Sequence, residues 1–365
     1  MNSEDILQYL ETYRTRATYG AVGELLGIPA IGVASRLGDI RPRASWVVSA
    51  KTGLPSGYPA EQYHSELLSN NKIIRKGHEL AKLMGIEWTP PIKPAKQKQS
   101  SSRLVKSNPS VKPAELLSIE PWQGETVLMG VDLAWLSERN GSGIAIGVLT
   151  PAGLTVKTIY SAIIGIEQVK DIINSQPSLS GLAIDAPLII PNATGDRECE
   201  KALNAVYSSR WAGCHPSNLE RYPNSASVAL AEWLVSKGFN HLGQPRTDLW
   251  QIECYPHPAI IELFDLDKRL AYKKGTADER RAGQIEFARL INQLQSNSNL
   301  PLVFDTSVQS YFDIEAISRL GGQALKDNED GLDAVLCLYI AALYASGSAM
   351  QCFGNTSTGY IVVPR

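Results

Sequence analysis

The chain has 365 residues, a net charge of −2, and 44% hydrophobic against 20% charged side chains, a composition that excludes a disordered or low-complexity chain. No apolar stretch reaches the roughly 18–20 residues of a membrane helix, and the acidic start Met1-Asn-Ser-Glu-Asp5 lacks a signal-peptide pattern, so a cytoplasmic location is expected. The five cysteines (Cys199, Cys214, Cys254, Cys337, Cys352) include no Cys-x-x-Cys pair, which argues against a disulfide framework or a zinc site.

At the N-terminus, Glu4 to Arg16 carries Ile6, Leu7, Leu10 and Tyr13 at helical spacing, with Ser3 as N-cap. Tyr19 to Leu26 predicts a second helix, stopped at Gly27 and Pro29, and Ala30 to Leu37 a third. Short helices joined by glycine-containing turns suggest a helix-turn-helix-like arrangement. Trp46 to Gly53 reads as a strand and turn, the wing of a winged helix, with Trp46 in the core; residues 65–84 read as a closing helix.

Thr18-Tyr19-Gly20-Ala-Val-Gly-Glu-Leu-Leu-Gly27-Ile-Pro29 resembles the DNA-binding domain of O6-alkylguanine-DNA alkyltransferases and alkyltransferase-like proteins. The resemblance covers about 70 residues. The family's Pro-Cys-His-Arg-Val-Val segment corresponds to Arg43-Ala44-Ser45-Trp46-Val47-Val48, so Ala44 occupies the position of the alkyl-accepting cysteine, and Gly32 falls near that of the arginine finger. Thiolate chemistry is therefore absent. What the resemblance implies is nucleic-acid binding, with Tyr19 at the helix-turn-helix contact and Arg36, Arg41 and Arg43 as phosphate contacts.

Residues 89–121 are rich in Pro, Ser and Lys and read as a flexible linker. The expected organisation is a winged-helix domain over 1–88, the linker over 89–121 and a larger domain over 122–365. Charge is uneven: 10 basic and 9 acidic side chains in 1–88, 6 and 2 in the linker, 19 and 26 beyond it. The basic linker suits phosphate contact, whereas the acidic C-terminal part suits cation binding.

Strands are expected at 126–134, 142–149, 153–160, 181–186 and 249–254. Helices are expected near 166–175, 196–208, 225–237, 257–264, 278–296 and 329–346. This order predicts an α/β fold, an RNase H-like mixed sheet with flanking helices. Asp132 closes the apolar run Val127 to Asp132 just before Trp135, Asp185 closes Gly181 to Asp185, and Asp330-Gly-Leu-Asp333 opens an apolar helix with both acids on one face. Such a cluster, unless neutralised, repels itself. The order of the acids is similar to that of Holliday-junction resolvases and other RNase H-like nucleases. Gly130 to Trp135, Ala183 to Leu188, Arg197 to Glu200 and Glu253 to Pro256 also resemble an uncharacterised domain-of-unknown-function family, usually described as predicted RNase H-like nucleases.

The resulting expectation is a nuclease, linked to DNA repair, that hydrolyses phosphodiesters at a two-metal site. Asp132, Asp185, Asp330 and Asp333 hold Mg²⁺ or Mn²⁺ through hard oxygen donors. Asp132, Asp185, Asp333 and Glu253 are the candidate catalytic residues. Arg197 is a candidate phosphate contact, and nucleic acid, DNA rather than RNA, is the expected partner. Glycines 141 and 143 read as a hairpin turn, and Cys214 to Asn218 as a loop lining the cleft. Two alternatives remain open on sequence: a non-catalytic nucleic-acid or damage sensor, and an ATP-dependent phosphotransferase on an actin-like relative of the fold.

Overall fold

A computed structural model describes residues 3–26, 30–38, 40–50, 52–69, 72–86, 114–134 and 140–365. The chain divides into two compact units, residues 1–104 and 105–365.

The first unit contains α1 (Ser3–Thr12), β1 (Arg16–Thr18), α2 (Tyr19–Leu26), α3 (Ala30–Leu37), β2 (Val47–Val48), β3 (Ile73–Ile74) and α4 (Gly77–Leu83). Apolar spacing in α1 turns Ile6, Leu7 and Leu10 onto Val22, Leu25, Val33, Leu37, Trp46 and Leu80 in a single core. α2 and α3 fall where periodicity places them, whereas α1 stops at Thr12, takes in Ser3 rather than being capped by it, and leaves Arg16 to β1. Two other expectations are corrected. The segment after Trp46 is not a hairpin wing: Val47 and Val48 are buried and pair in parallel with β1. The chain then closes on itself locally, with Ser49 N–H donating to Leu54 O and Gly53 N–H to Ser49 O. The closing helix starts at Gly77 rather than 65, because Ile73–Ile74 is taken up as a strand on the other side of β1.

The second unit is a mixed α/β structure. Its elements are β4 (Glu115–Leu116), β5 (Thr126–Asp132), β6 (Ser142–Thr150), β7 (Gly153–Ile163), α5 (Ile166–Asn174), β8 (Leu179–Asp185), α6 (Glu198–Tyr207), α7 (Ala226–Ser236), β9 (Phe239–His241) and β10 (Leu249–Glu253). There follow α8 (Pro256–Leu263), α9 (Ala277–Gln293), β11 (Leu302–Phe304), α10 (Ile314–Ser318), α11 (Gly322–Ala345), β12 (Met350–Asn355) and β13 (Gly359–Pro364). A seven-stranded sheet runs in the order β11-β7-β6-β5-β8-β10-β9. Only β6 opposes its neighbours; β5, β8, β10 and β9 are mutually parallel.

Both faces of this sheet are covered, which is why its central strands read as unbroken apolar runs. Leu128, Ala145, Ala183 and Ile252 face one layer, built by α8, α9 and α11. Met129, Val131, Ile144, Leu182 and Ile184 face the other, built by Val169 and Ile173 of α5 and Leu230 and Leu234 of α7. α11 starts at Gly322, well before the expected 329, so Asp330 lies inside the helix and not at its opening. Ser142 and Gly143 belong to β6 rather than to a turn.

A second sheet, β13-β12-β4, corrects the linker boundary. Glu115–Leu116 pairs with Gln351–Cys352, Leu117 N–H donates to Met350 O, and Gln244 bridges Glu120 N–H and Ser118 O. Residues 114–121 are thus folded into the second unit. The rest of the expected linker, up to residue 113, lies outside the described residues, as do Trp135, Gly27 and Pro29.

Candidate active site: an acid cluster at the carboxyl ends of two strands

β5 and β8 are parallel neighbours, and both end on an aspartate. The register sets Asp132 directly opposite Asp185. On its other side Asp132 is paired with Gly143 of β6. Gly143 is the reason α11 comes so close: a Cβ there would lie 2.1 Å from the carbonyl oxygen of Asp330, an impossible approach for any other residue. Asp330 and Asp333, three residues apart on α11, are both buried. The structure therefore assembles all four predicted aspartates at one end of the sheet.

Basic and phenolic groups that the sequence reading missed complete the cluster. Lys273, in the loop between α8 and α9, sets Nζ 2.9 Å from Asp333 Oδ2. The neighbouring Tyr272 hydroxyl donates to Asp333 Oδ1 at 2.5 Å. Lys326, one turn before Asp330 on the same helix, donates to Asp330 Oδ1 at 2.6 Å. Asp330 Oδ2 is buried and has no hydrogen-bond partner; Asp333 Oδ2 has none beyond its ion pair with Lys273.

Protonation equilibria follow from this crowding. Burial, reinforced by Asp333, Asp185 and Asp330, pushes Asp132 well above the ordinary carboxylate range, with Lys273 opposing. Asp185 rises to about 7 through burial, again opposed by Lys273 and reinforced by Asp333 and Glu253. Asp330 rises to about 6 through burial, with Lys326 opposing. Burial works to lower Lys273, but Asp333, Tyr272, Asp132 and Asp185 together hold it above the usual lysine range. The site is thus an excess of carboxylates partly neutralised by two ammonium groups.

Glu253 and Arg197 take a different role from the one expected. Both are buried. Arg197 Nη1 and Nη2 donate to the two oxygens of Glu253 at 2.9 and 2.6 Å, and Nε donates to Glu200 Oε1 at 2.8 Å. Nη1 also reaches Ile189 O at 3.0 Å. Glu253 accepts from Leu188 N–H and Glu200 from Ser217 N–H. Arg197 is consumed by this Glu–Arg–Glu triad, so the phosphate contact expected of it is withdrawn. The triad instead fastens the 186–190 turn after Asp185 to β10 and α6. Glu253 touches the cluster only electrostatically, through Asp185. Burial pushes the Cys214 thiol up to about 12, and Cys214, His215 and Ser217 line a cavity of about 90 Å³ next to Asp185.

In the first unit, Arg41 pairs with Glu4, and Arg43 with Glu11 at 2.7 Å, so both are engaged by α1. Arg36 is exposed on α3. The Tyr19 hydroxyl accepts from Ser56 N–H at 3.3 Å, and Ala44 and Trp46 are buried in the core.

A family model described as protein of unknown function (DUF429) matches residues 130–358. The chain belongs to that family. Comparison with curated proteins and with solved structures gave no match. The DUF429 region contains every member of the acid cluster, both lysines and the Glu–Arg–Glu triad, and none of the first unit.

Proposed function

We propose that the DUF429 region is a metal-dependent nuclease of RNase H-like fold that hydrolyses phosphodiesters in nucleic acid, DNA in preference to RNA. The observation that carries this reading is the pairing of Asp132 with Asp185 at the ends of adjacent strands, beneath Asp330 and Asp333 of α11. Strand order β7-β6-β5-β8-β10, with β6 reversed and the acids on the first strand, the fourth strand and a late helix, supports the fold assignment.

The donor set fits a hard divalent cation such as Mg²⁺ or Mn²⁺: all four groups are carboxylates, and Asp330 Oδ2 is buried without a partner. Among the described residues, no three acids are already gathered to hold an ion, and Lys273 supplies the local positive charge. Asp132, Asp185, Asp330 and Asp333 are the residues that would hold metal. Bound there, it would supply Lewis acidity and activated water. The chain's own contribution is positional. Tyr272 and Lys273 orient Asp333, Lys326 orients Asp330, and Gly143 keeps the helix against the strand that carries Asp132's partner.

For the first unit, the α2–α3 pair and exposed Arg36 support an alkyltransferase-like, helix-turn-helix nucleic-acid module without a hairpin wing and without alkyl transfer, which would deliver the nuclease to damaged or structured DNA. A non-catalytic sensor is the second reading, favoured by the ion pair that already neutralises Asp333. The deciding experiment is cleavage of a labelled panel of DNA and RNA with Mg²⁺ or Mn²⁺, by the native chain and Asp132→Asn. Metal-dependent cleavage that drops at least a hundredfold in the variant is the expected result. No cleavage by the native chain, with binding retained, leaves the sensor.

A further inference from the structure

Beside the acid cluster lies a cleft of about 210 Å³ of opposite character. Its lining includes Asp185 at one edge and His257, Arg269, Lys273 and Lys274 around the rest. Three cations thus come from a single loop, residues 264–276, between α8 and α9. The loop is held from behind by a different arginine: Arg210 donates to Leu266 O at 2.7 Å and pairs with Glu262 at 2.7 Å. Arg269 N–H donates back to Arg210 O at 2.9 Å. Arg210 therefore fixes the backbone, and the side chain of Arg269 is left over.

Lys273 is committed to Asp333. Arg269 and Lys274 have no ion-pair or side-chain hydrogen-bond partner among the described residues. Nδ1 of His257 is buried and also without a partner. Burial and the three cations Lys273, Arg269 and Lys274 drive its pKa well below the ordinary histidine value, so the ring is neutral and one nitrogen retains a proton to donate. Unspent donors around a cavity, with three cations set against the single carboxylate of Asp185 at its edge, are the pattern expected of a site completed by a ligand anion.

We propose that this cleft is an anion subsite that holds a phosphate group of the substrate beside Asp185, with Arg269, Lys274 and His257 as its donors. That the phosphate belongs to a nucleic-acid backbone rests on the nuclease reading; the subsite itself does not. A phosphate placed here lies next to the acids yet on cations, which lets a net-acidic unit bind a polyanion.

The test uses the full chain with divalent metal chelated. Inorganic phosphate is titrated at fixed ionic strength against chloride, and the thermal midpoint is followed, since a ligand that binds only the folded state raises it. The midpoint of the native chain rises with phosphate. In Arg269→Ala/Lys274→Ala the rise is lost, while Arg269→Lys, which keeps the charge, retains part of it. An equal rise in the native chain and the double variant overturns the subsite. Displacement of phosphate by an eight-nucleotide strand supports a phosphodiester occupant; displacement by ATP but not by the strand overturns that occupant. Phosphate-dependent stabilisation without any metal-dependent cleavage supports the subsite and sinks the nuclease reading.

Discussion

Asp185 shows how a single carboxyl group links chemistry to stability. Its folded-state pKa, about 7, lies above the ordinary 3.8, so the folded chain binds a proton that the unfolded chain has released. The stability this group contributes is whole below about pH 4 and is lost as pH climbs through 7. With metal chelated, Asp185→Asn should raise the melting midpoint at pH 8 by more than the roughly 2–4 °C that 1 kcal/mol shifts a unit of this size. At pH 4 it should change little. A variant that is destabilised equally at both pH values would show that the carboxylate is not strained by its neighbours.

Arg197 is the converse case. Its charge is desolvated but matched by two glutamates. Arg197→Ala leaves both carboxylates buried and unpaired, and should cost about 3–5 kcal/mol in chemical denaturation. Nucleic-acid affinity measured well below the variant's midpoint should stay within about twofold, because the guanidinium never faces a ligand. A large loss of affinity with an unchanged midpoint would restore the phosphate role.

Among the elements, the loop between α8 and α9 matters most to the site, and a glycine outside it decides its position. A Cβ on Gly283 of α9 would meet Ala271 O at 2.1 Å and Tyr272 Cα at 2.6 Å. Gly283→Ala should therefore lift the 271–273 segment, at a cost of roughly 1–3 kcal/mol from overpacking. Tyr272 and Lys273 would leave Asp333, and cleavage should fall more than tenfold at temperatures where the variant is folded; undiminished cleavage would show that this seat is irrelevant.

The same loop marks where sequence reading runs out. β5, β6 and β8 were legible because burial on both faces writes continuous apolar runs, and the aspartates were legible because a charge ending such a run stands out. Lys273 was not: Tyr272-Lys273-Lys274-Gly275 looks like a solvated turn, and its partner Asp333 is 60 positions away, brought near by packing alone. Arg197 misled for a related reason, since a lone arginine before a helix does not announce that two glutamates enclose it. β9 and β11 are three residues each, too short for periodicity to register. The start of α11 was hidden by Gly322, which is a poor helix former held there by the rest of the helix.

For the molecule as a whole, the revised boundary is a practical matter. A fragment that begins at Ala114 keeps β4 and should unfold cooperatively, with the midpoint of the DUF429 region in the full chain. A fragment that begins at Trp122 loses the pairing of Glu115–Leu116 with β12 and the bonds through Gln244. Calorimetry should find it several degrees less stable; equal midpoints would return residues 114–121 to the linker.

That pairing also fixes when the unit is finished. β4 is among the first residues of the unit to leave the ribosome, and its partner β12 is among the last. Until Met350 to Pro364 emerges, Leu116 has no strand to join, and the apolar cluster of Cys199, Leu203, Tyr207 and Ile261 lacks Phe353, Ile361 and Val363. A nascent chain can carry all four aspartates and still expose that face, so completion of the fold waits for the strands β12 and β13.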